Sequence, residues 1–233
     1  MLVAGGVQGV PDLLADGSVP ALASAEIYDP VTNSFSPVGD MSVPRIAHTA
    51  TSLPDGTALI VGGASISVGL PSTGGISAAE LYDPGTGEFL PAGTLAVPRF
   101  GHTATLLASG SVMIAGGSSF GPSAPVFAGD DPTDTAELYE SATGSWSVAA
   151  NLISPAAFHT ANLIANGQIL FAGSTATPYW ASHAELYDLP PGSSAAVGSM
   201  EYEARFRHVA TRLADGSVLV VGGGTGLVEL FLE

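Results

Sequence analysis

A sixteen-residue unit recurs four times in this chain, and no other feature restricts the fold as much. It reads HTATSLPDGTALIVGG from His48, HTATLLASGSVMIAGG from His102, HTANLIANGQILFAGS from His159 and HVATRLADGSVLVVGG from His208. Each copy begins with a short run of apolar and β-branched residues, the composition of a strand. A two-residue turn follows (Ser109 and Gly110 in the second copy), where glycine supplies positive φ at no steric cost. A second apolar run then ends on paired glycines, or on Gly173 and Ser174 in the third copy. Repetition of one hairpin predicts a repeat architecture.

A second unit follows each glycine pair after a connection. It reads SAEIYDPVTNSFSPVGDM from Ser24, AAELYDPGTGEFLPAGTL from Ala78, TAELYESATGSWSVAANL from Thr135 and HAELYDLPPGSSAAVGSM from His183, and LVELFLE closes the chain. Each copy predicts a strand ending at the tyrosine, a turn rich in Pro, Gly and Asp, and a further strand. Tyr28, Tyr82 and Tyr139 are followed seven positions later by Phe35, Phe89 and Trp146, whereas Tyr187 is followed by Ser194.

One period therefore holds four strands: a from the histidine, b to the glycines, c to the tyrosine, and d around the aromatic. The histidines stand 54, 57 and 49 positions apart. A period of about 50 residues with four strands is that of a β-propeller blade. The expected fold is all-β: a single propeller domain of four-stranded antiparallel blades, about five in number and incomplete at both ends. The blades fall at residues 1–44 (partial), 45–98, 99–155, 156–204 and 205–233 (partial). The first lacks strand a, which predicts an open inner edge near Leu2, Val3 and Ala4 and self-association of the chain. LLADGSV at 13–19 echoes the hairpin without its histidine or glycines and reads as loop.

Blades covered on both faces explain why hydrophobic residues make up 46% of the chain and charged ones only 11%. That balance is too apolar for a disordered chain. The net charge of −16 argues against nucleic acid and anionic membranes as partners. No apolar run approaches the roughly 18 residues of a membrane span, so no membrane insertion is expected. The opening MLVAGGVQGV has neither a basic segment nor a long apolar core, so no signal peptide is recognisable, and it reads as the end of a strand b.

The glycine pairs at 62–63, 116–117 and 222–223, the tyrosine and the aromatic at its fixed offset resemble the kelch repeat family over nearly the whole chain. The form with HTATLL, DG and AELYDP is similar to the propeller of galactose oxidase-like proteins. The resemblance implies a kelch-type propeller and an extracellular or cell-surface location. It does not extend to oxidase chemistry, because that copper centre needs a tyrosine cross-linked to cysteine and this chain has no cysteine. Kelch-type lyases and sugar epimerases are known, but their catalytic residues have no match here. No catalytic residue, cofactor or metal is assigned.

The d-to-a and b-to-c connections emerge on one face. The former carry Arg45 with His48, Arg99 with His102, Ala156 with His159, and Arg205 and Arg207 with His208. Guanidinium groups there suit a carboxylate or sulfate ligand. The competing reading is scaffold, since Glu26, Glu80, Glu137 and Glu185 recur once per blade and can pair with a recurring arginine. Scaffold is the expectation for Arg45 and Arg99, and Arg205 is the exception, because its segment is one residue longer. Histidines spaced one per blade are too far apart to converge on a metal. Asp130, Asp131 and Asp134 lack the spacing of a calcium loop. The b-to-c connections near 64–78, 118–135 and 174–183 differ most between copies, and variable loops on a rigid scaffold carry function. One contains Tyr179 and Trp180, which suit a sugar ring or a protein contact. The expected function is a non-catalytic binding module for a protein or glycan ligand. The alternative is a carbohydrate-active enzyme with an Arg/His-lined mouth.

Overall fold

A computed structural model describes residues 1–7, 21–65, 74–119, 132–174, 181–189, 192–200, 208–223 and 228–232. The chain forms two compact units, Met1–Phe100 and the described residues from Gly101 onward. Every regular element among the described residues is a β-strand. No helix among them is long and apolar enough to cross a membrane.

Five antiparallel sheets, each with its strands side by side in chain order, are the blades of a five-bladed β-propeller. The first unit holds two. The first blade is β1 (Leu2–Ala4), β2 (Ala25–Asp29) and β3 (Ser34–Pro37). The second is β4 (Thr49–Ser52), β5 (Ala58–Val61), β6 (Ile76–Asp83) and β7 (Glu88–Arg99). The second unit holds three. Its first is β8 (Thr103–Leu106), β9 (Val112–Ala115), β10 (Ala136–Glu140) and β11 (Ser145–Ala149). The next is β12 (Thr160–Leu163), β13 (Ile169–Ser174), β14 (Ala181–Asp188) and β15 (Ser193–Ser199). The last is β16 (Val209–Arg212), β17 (Val218–Val221) and β18 (Val228–Phe231). The first blade thus lacks strand a and the fifth lacks strand d among the described residues. The LLADGSV echo at 13–19 lies outside the described residues.

The tyrosine–aromatic offset is a cross-strand pair, as the spacing requires. Tyr28 faces Phe35, Tyr82 faces Phe89 and Tyr139 faces Trp146, with ring centroids 5.1, 5.1 and 5.0 Å apart. In the fourth blade Ser194 faces Tyr187, and the Tyr187 hydroxyl donates to the Ala150 carbonyl at 2.9 Å.

The hairpin turn differs from the two-residue form expected. Leu53 N–H donates to Thr57 O at 2.8 Å and Gly56 N–H to Leu53 O at 3.0 Å, so three residues make the loop. Only the last is left-handed, Gly56 at φ 91°. This is a type I turn followed by a glycine bulge, which matches the strand twist with a single positive φ. Asp55 Oδ1 closes it by accepting from Thr57 N–H at 2.9 Å.

Packing between blades follows the two-residue period of strand b. Ile169 and Phe171 face the preceding blade and join Met113, Ala115 and Ala136 in one core, while Leu170 and Ala172 face the following blade and join Val218 and Val220 in another. All of β9 and β13 is buried as a result, which is why these strands are apolar throughout rather than alternating.

Candidate functional site

The glycine-pair end of strand b and the histidine end of strand a meet on the face that carries the b-to-c and d-to-a connections. The contact is built the same way at three described junctions. The second glycine of a pair donates its N–H to a carbonyl of the next d-to-a segment: Gly6 to Arg45 O at 3.0 Å, Gly63 to Arg99 O at 2.8 Å and Gly117 to Ala156 O at 2.7 Å. The first glycine makes room for the histidine. A β-carbon at Gly116, itself at φ 62°, would collide with the Ala156 carbonyl oxygen and stand 2.7 Å from His159 Cε1.

The residue before His48, His102 and His159 is left-handed. Ala47, Gly101 and Phe158 have φ of 51°, 60° and 52°. No propensity signal marks this position, since alanine and phenylalanine both resist the region. The kink turns the chain into strand a and aims the ring at the neighbouring blade. Within the second unit, His159 Nε2 meets Thr103 Oγ1 at 3.1 Å and His208 Nε2 meets Thr160 Oγ1 at 3.0 Å. Each histidine thus bridges to the threonine that follows the previous histidine. That pairing was legible as the recurring His-Thr dipeptide, and sequence reasoning did not use it.

His102, His159 and His208 are buried, and His48 is half-buried. Burial, with the Arg45 charge as a lesser cause, lowers the pKa of His48 to about 4, so the ring is neutral at pH 7. No group of three or more metal-ligating side chains converges among the described residues.

Arg45 is fully buried. Its guanidinium donates to Gly62 O at 2.8 Å and Ala78 O at 3.1 Å, and it pairs with a Glu80 oxygen. The other Glu80 oxygen accepts the Ser42 N–H at 2.8 Å. Arg99 is also fully buried, and its Nε donates to Val97 O at 3.2 Å. The shielding expected of both arginines is present, and Glu80 is engaged by Arg45. Tyr179, Trp180, Arg205 and Arg207 lie outside the described residues, as do Asp130 and Asp131.

The repeat breaks at one described junction. Ala156 takes the arginine position, and the matching Glu185 is buried. Glu185 still accepts the Ile153 N–H at 2.8 Å, as Glu80 accepts from Ser42. Burial raises its pKa, and the Ile153 hydrogen bond opposes that rise. Ser174 stands where the other blades have the second glycine, and its hydroxyl accepts from Ala157 N–H at 3.4 Å.

The second unit also has a cleft of about 130 Å³ between β14–β15 and β17–β18, lined by Leu170, Ala172, Met200, Val220 and Phe231 with Glu229 at its side. Ligand pockets typically exceed about 300 Å³, so this one is a packing gap.

Comparison with known proteins supports the fold alone. The solved structure of YjhT superposes with a TM-score of 0.73 at 16% identity, over 97% of this chain and 75% of that one. No protein-family model matches the chain, and no curated protein does.

Proposed function

We propose that this chain is a kelch-type propeller serving as a non-catalytic binding module for a protein or carbohydrate ligand. Its binding face is the one that carries the b-to-c and d-to-a connections. The observation that supports this reading is the use of the recurring polar groups as framework. Arg45 is bonded to two carbonyls and Glu80, and His159 and His208 bridge strands. Recognition then falls to residues that differ between copies: Tyr179 and Trp180 in one b-to-c connection, and Arg205 and Arg207 before the last histidine. Aromatics suit sugar rings or protein anchors, and a guanidinium pair suits an acidic group. The resemblance to kelch propellers favours an extracellular or cell-surface setting.

The test is a glycan array with acidic and neutral sugars, combined with melting curves. Arg205→Met and Trp180→Ala are expected to lose retention with melting temperature unchanged. Arg99→Met is expected to lose stability, with retention reduced only in proportion. Stability loss without binding loss at Arg205 would end this reading of the face.

A second reading is a carbohydrate-active enzyme of the lyase or epimerase type. It is favoured by Glu185, a buried carboxyl with a raised pKa on the same face and no arginine at position 156. Raised carboxyl pKa values are a recurring mark of general acids. Turnover of an acidic sugar by the parent chain, abolished in Glu185→Gln, would favour this reading over the first.

A further inference from the structure

The turn between β12 and β13 holds a reactive group that its three counterparts lack. Its tip is Asn166-Gly167, and of the four asparagines of the chain only Asn166 precedes a glycine. Both residues are exposed. Gly167 is left-handed at φ 88°, and its N–H donates to Ile164 O at 3.1 Å. The matching residues Asp55, Ser109 and Asp215 each turn a side-chain oxygen back onto the N–H two positions on, at 2.9, 3.3 and 3.0 Å. Asn166 does the same, its Oδ1 accepting the Gln168 N–H at 2.9 Å.

Asn166 differs in also carrying an amide nitrogen. Its Nδ2 donates to Gln168 Oε1 at 2.6 Å, and Gln168 Nε2 donates to Asp188 Oδ1 at 2.5 Å. This relay ties the turn to the end of β14, next to Leu189, which packs against the core that holds Ile169 and Tyr187. The same amide is open to attack from its own backbone. A bond from Gly167 N to Asn166 Cγ closes a five-membered ring, and residue 167 has no β-carbon to crowd the nitrogen. The Gln168 N–H already meets the oxygen on which negative charge develops as that ring closes, which is the arrangement of an oxyanion donor.

We propose that Asn166 is a site of spontaneous covalent modification, deamidation through a cyclic imide with water as the co-reactant. Hydroxide takes the Gly167 N–H proton, and the nitrogen bonds to Asn166 Cγ. The Cγ–Nδ2 bond breaks, and ammonia leaves with that proton returned by way of water. Water then opens the imide at either carbonyl, giving aspartate or isoaspartate at 166. The reaction waits on release of the Gly167 N–H from Ile164, and exposed turns open at low free energy. Aspartate suits the turn, since Asp55 and Asp215 hold the same place in other copies. It cannot donate to Gln168, however. Gln168 Oε1 then faces a carboxylate, and turning its amide to donate there gives up Asp188. Modification to aspartate thus leaves the hairpin closed, adds one negative charge and unties the turn from β14.

The experiment is incubation of the 233-residue chain at neutral and alkaline pH, followed by anion-exchange chromatography and peptide mass mapping. A more acidic species is expected, with the mass gain of an amide-to-acid change at Asn166 and an isoaspartyl fraction at the same position. Its rate should rise with hydroxide. Asn33, Asn151 and Asn162 should stay intact over that time. Gln168→Ala frees Nδ2 and keeps the backbone N–H on Oδ1, so Asn166 should react roughly fivefold faster in it. Asn166→Asp should keep the parent's circular dichroism while amide hydrogen exchange at Asp188 and Leu189 quickens. An unchanged mass at Asn166 would overturn the proposal. So would earlier modification of another asparagine, a rate indifferent to pH, or slower modification in Gln168→Ala. Unchanged exchange in Asn166→Asp would overturn the untying of β14.

Discussion

Arg45, in the segment before β4, reaches Glu80 on β6, and the two form a fully shielded ion pair. Ser42 N–H and two carbonyl oxygens complete the set around them. Removing one member leaves a buried charge uncompensated. Arg45→Met is expected to lower the stability of the chain by on the order of 3 kcal/mol, read from urea denaturation. A loss below about 1 kcal/mol would mean that the pair is far better solvated than its burial indicates.

Two glycines separate backbone strain from crowding. Gly56 and Gly116 both have positive φ, at 91° and 62°. A β-carbon at Gly56 meets nothing within 4 Å, whereas one at Gly116 meets Ala156 and His159. Gly56→Ala should cost about 1 kcal/mol from φ alone. Gly116→Ala should cost several times as much, because the struck oxygen belongs to backbone and cannot move aside. Equal losses in paired thermal melts would count against the glycine–histidine cradle.

Ala47 is exposed and left-handed at φ 51°. An L-residue in this region costs about 1 kcal/mol that glycine does not. Ala47→Gly should therefore stabilise the chain by up to about 1 kcal/mol, offset in part by the greater entropy of glycine in the unfolded state. A destabilised variant would show that the strain estimate is wrong at this site.

His48 makes stability depend on pH. Its folded pKa of about 4 lies below the ordinary value of 6.5. The unfolded chain therefore takes up a proton first as pH falls. The contribution is complete above pH 6.5 and is lost progressively toward pH 4. At pH 5 the loss is on the order of 2 kcal/mol. Denaturation curves at pH 7 and pH 5 for the parent and His48→Gln should show the parent losing more, and parallel losses would exclude His48 as the cause.

Glu185 has the opposite sign. Burial raises its folded pKa, so the folded state binds the proton more tightly and the carboxylate opposes folding at neutral pH. Stability from this group should rise as pH falls through that raised value. Glu185→Gln keeps an oxygen for the Ile153 N–H and removes the charge. It should raise the melting temperature at pH 7 and have little effect in acid. A lower melting temperature at pH 7 would point to an unseen cation beside the carboxylate.

The repeat was legible because each junction needs the same few side chains at the same spacing. The tyrosine and its aromatic lie opposite each other since seven residues are what a tight strand–turn–strand connection spans, and Phe35, Phe89 and Trp146 follow that rule. Strand b is apolar throughout because blades cover both its faces, a pattern visible in ALIV and VMIA before any coordinate. The glutamates were legible as recurring charges in apolar strands, which predicts a partner. Their partner set was not, because Arg45 reaches Glu80 from 35 residues away and no local pattern ranks one glutamate over another.

From its residues alone this chain is an all-β repeat with four-stranded blades. Local chemistry decides those properties: strand alternation, glycine at a turn, an aromatic at a set offset. Only the tertiary structure decided that the hairpin loop has three residues, that Ala47 and Phe158 are held left-handed before His48 and His159, and that Glu185 is buried. Those outcomes depend on what a neighbouring strand or blade places against each side chain, and a linear pattern records a residue's own preference but not what stands opposite it.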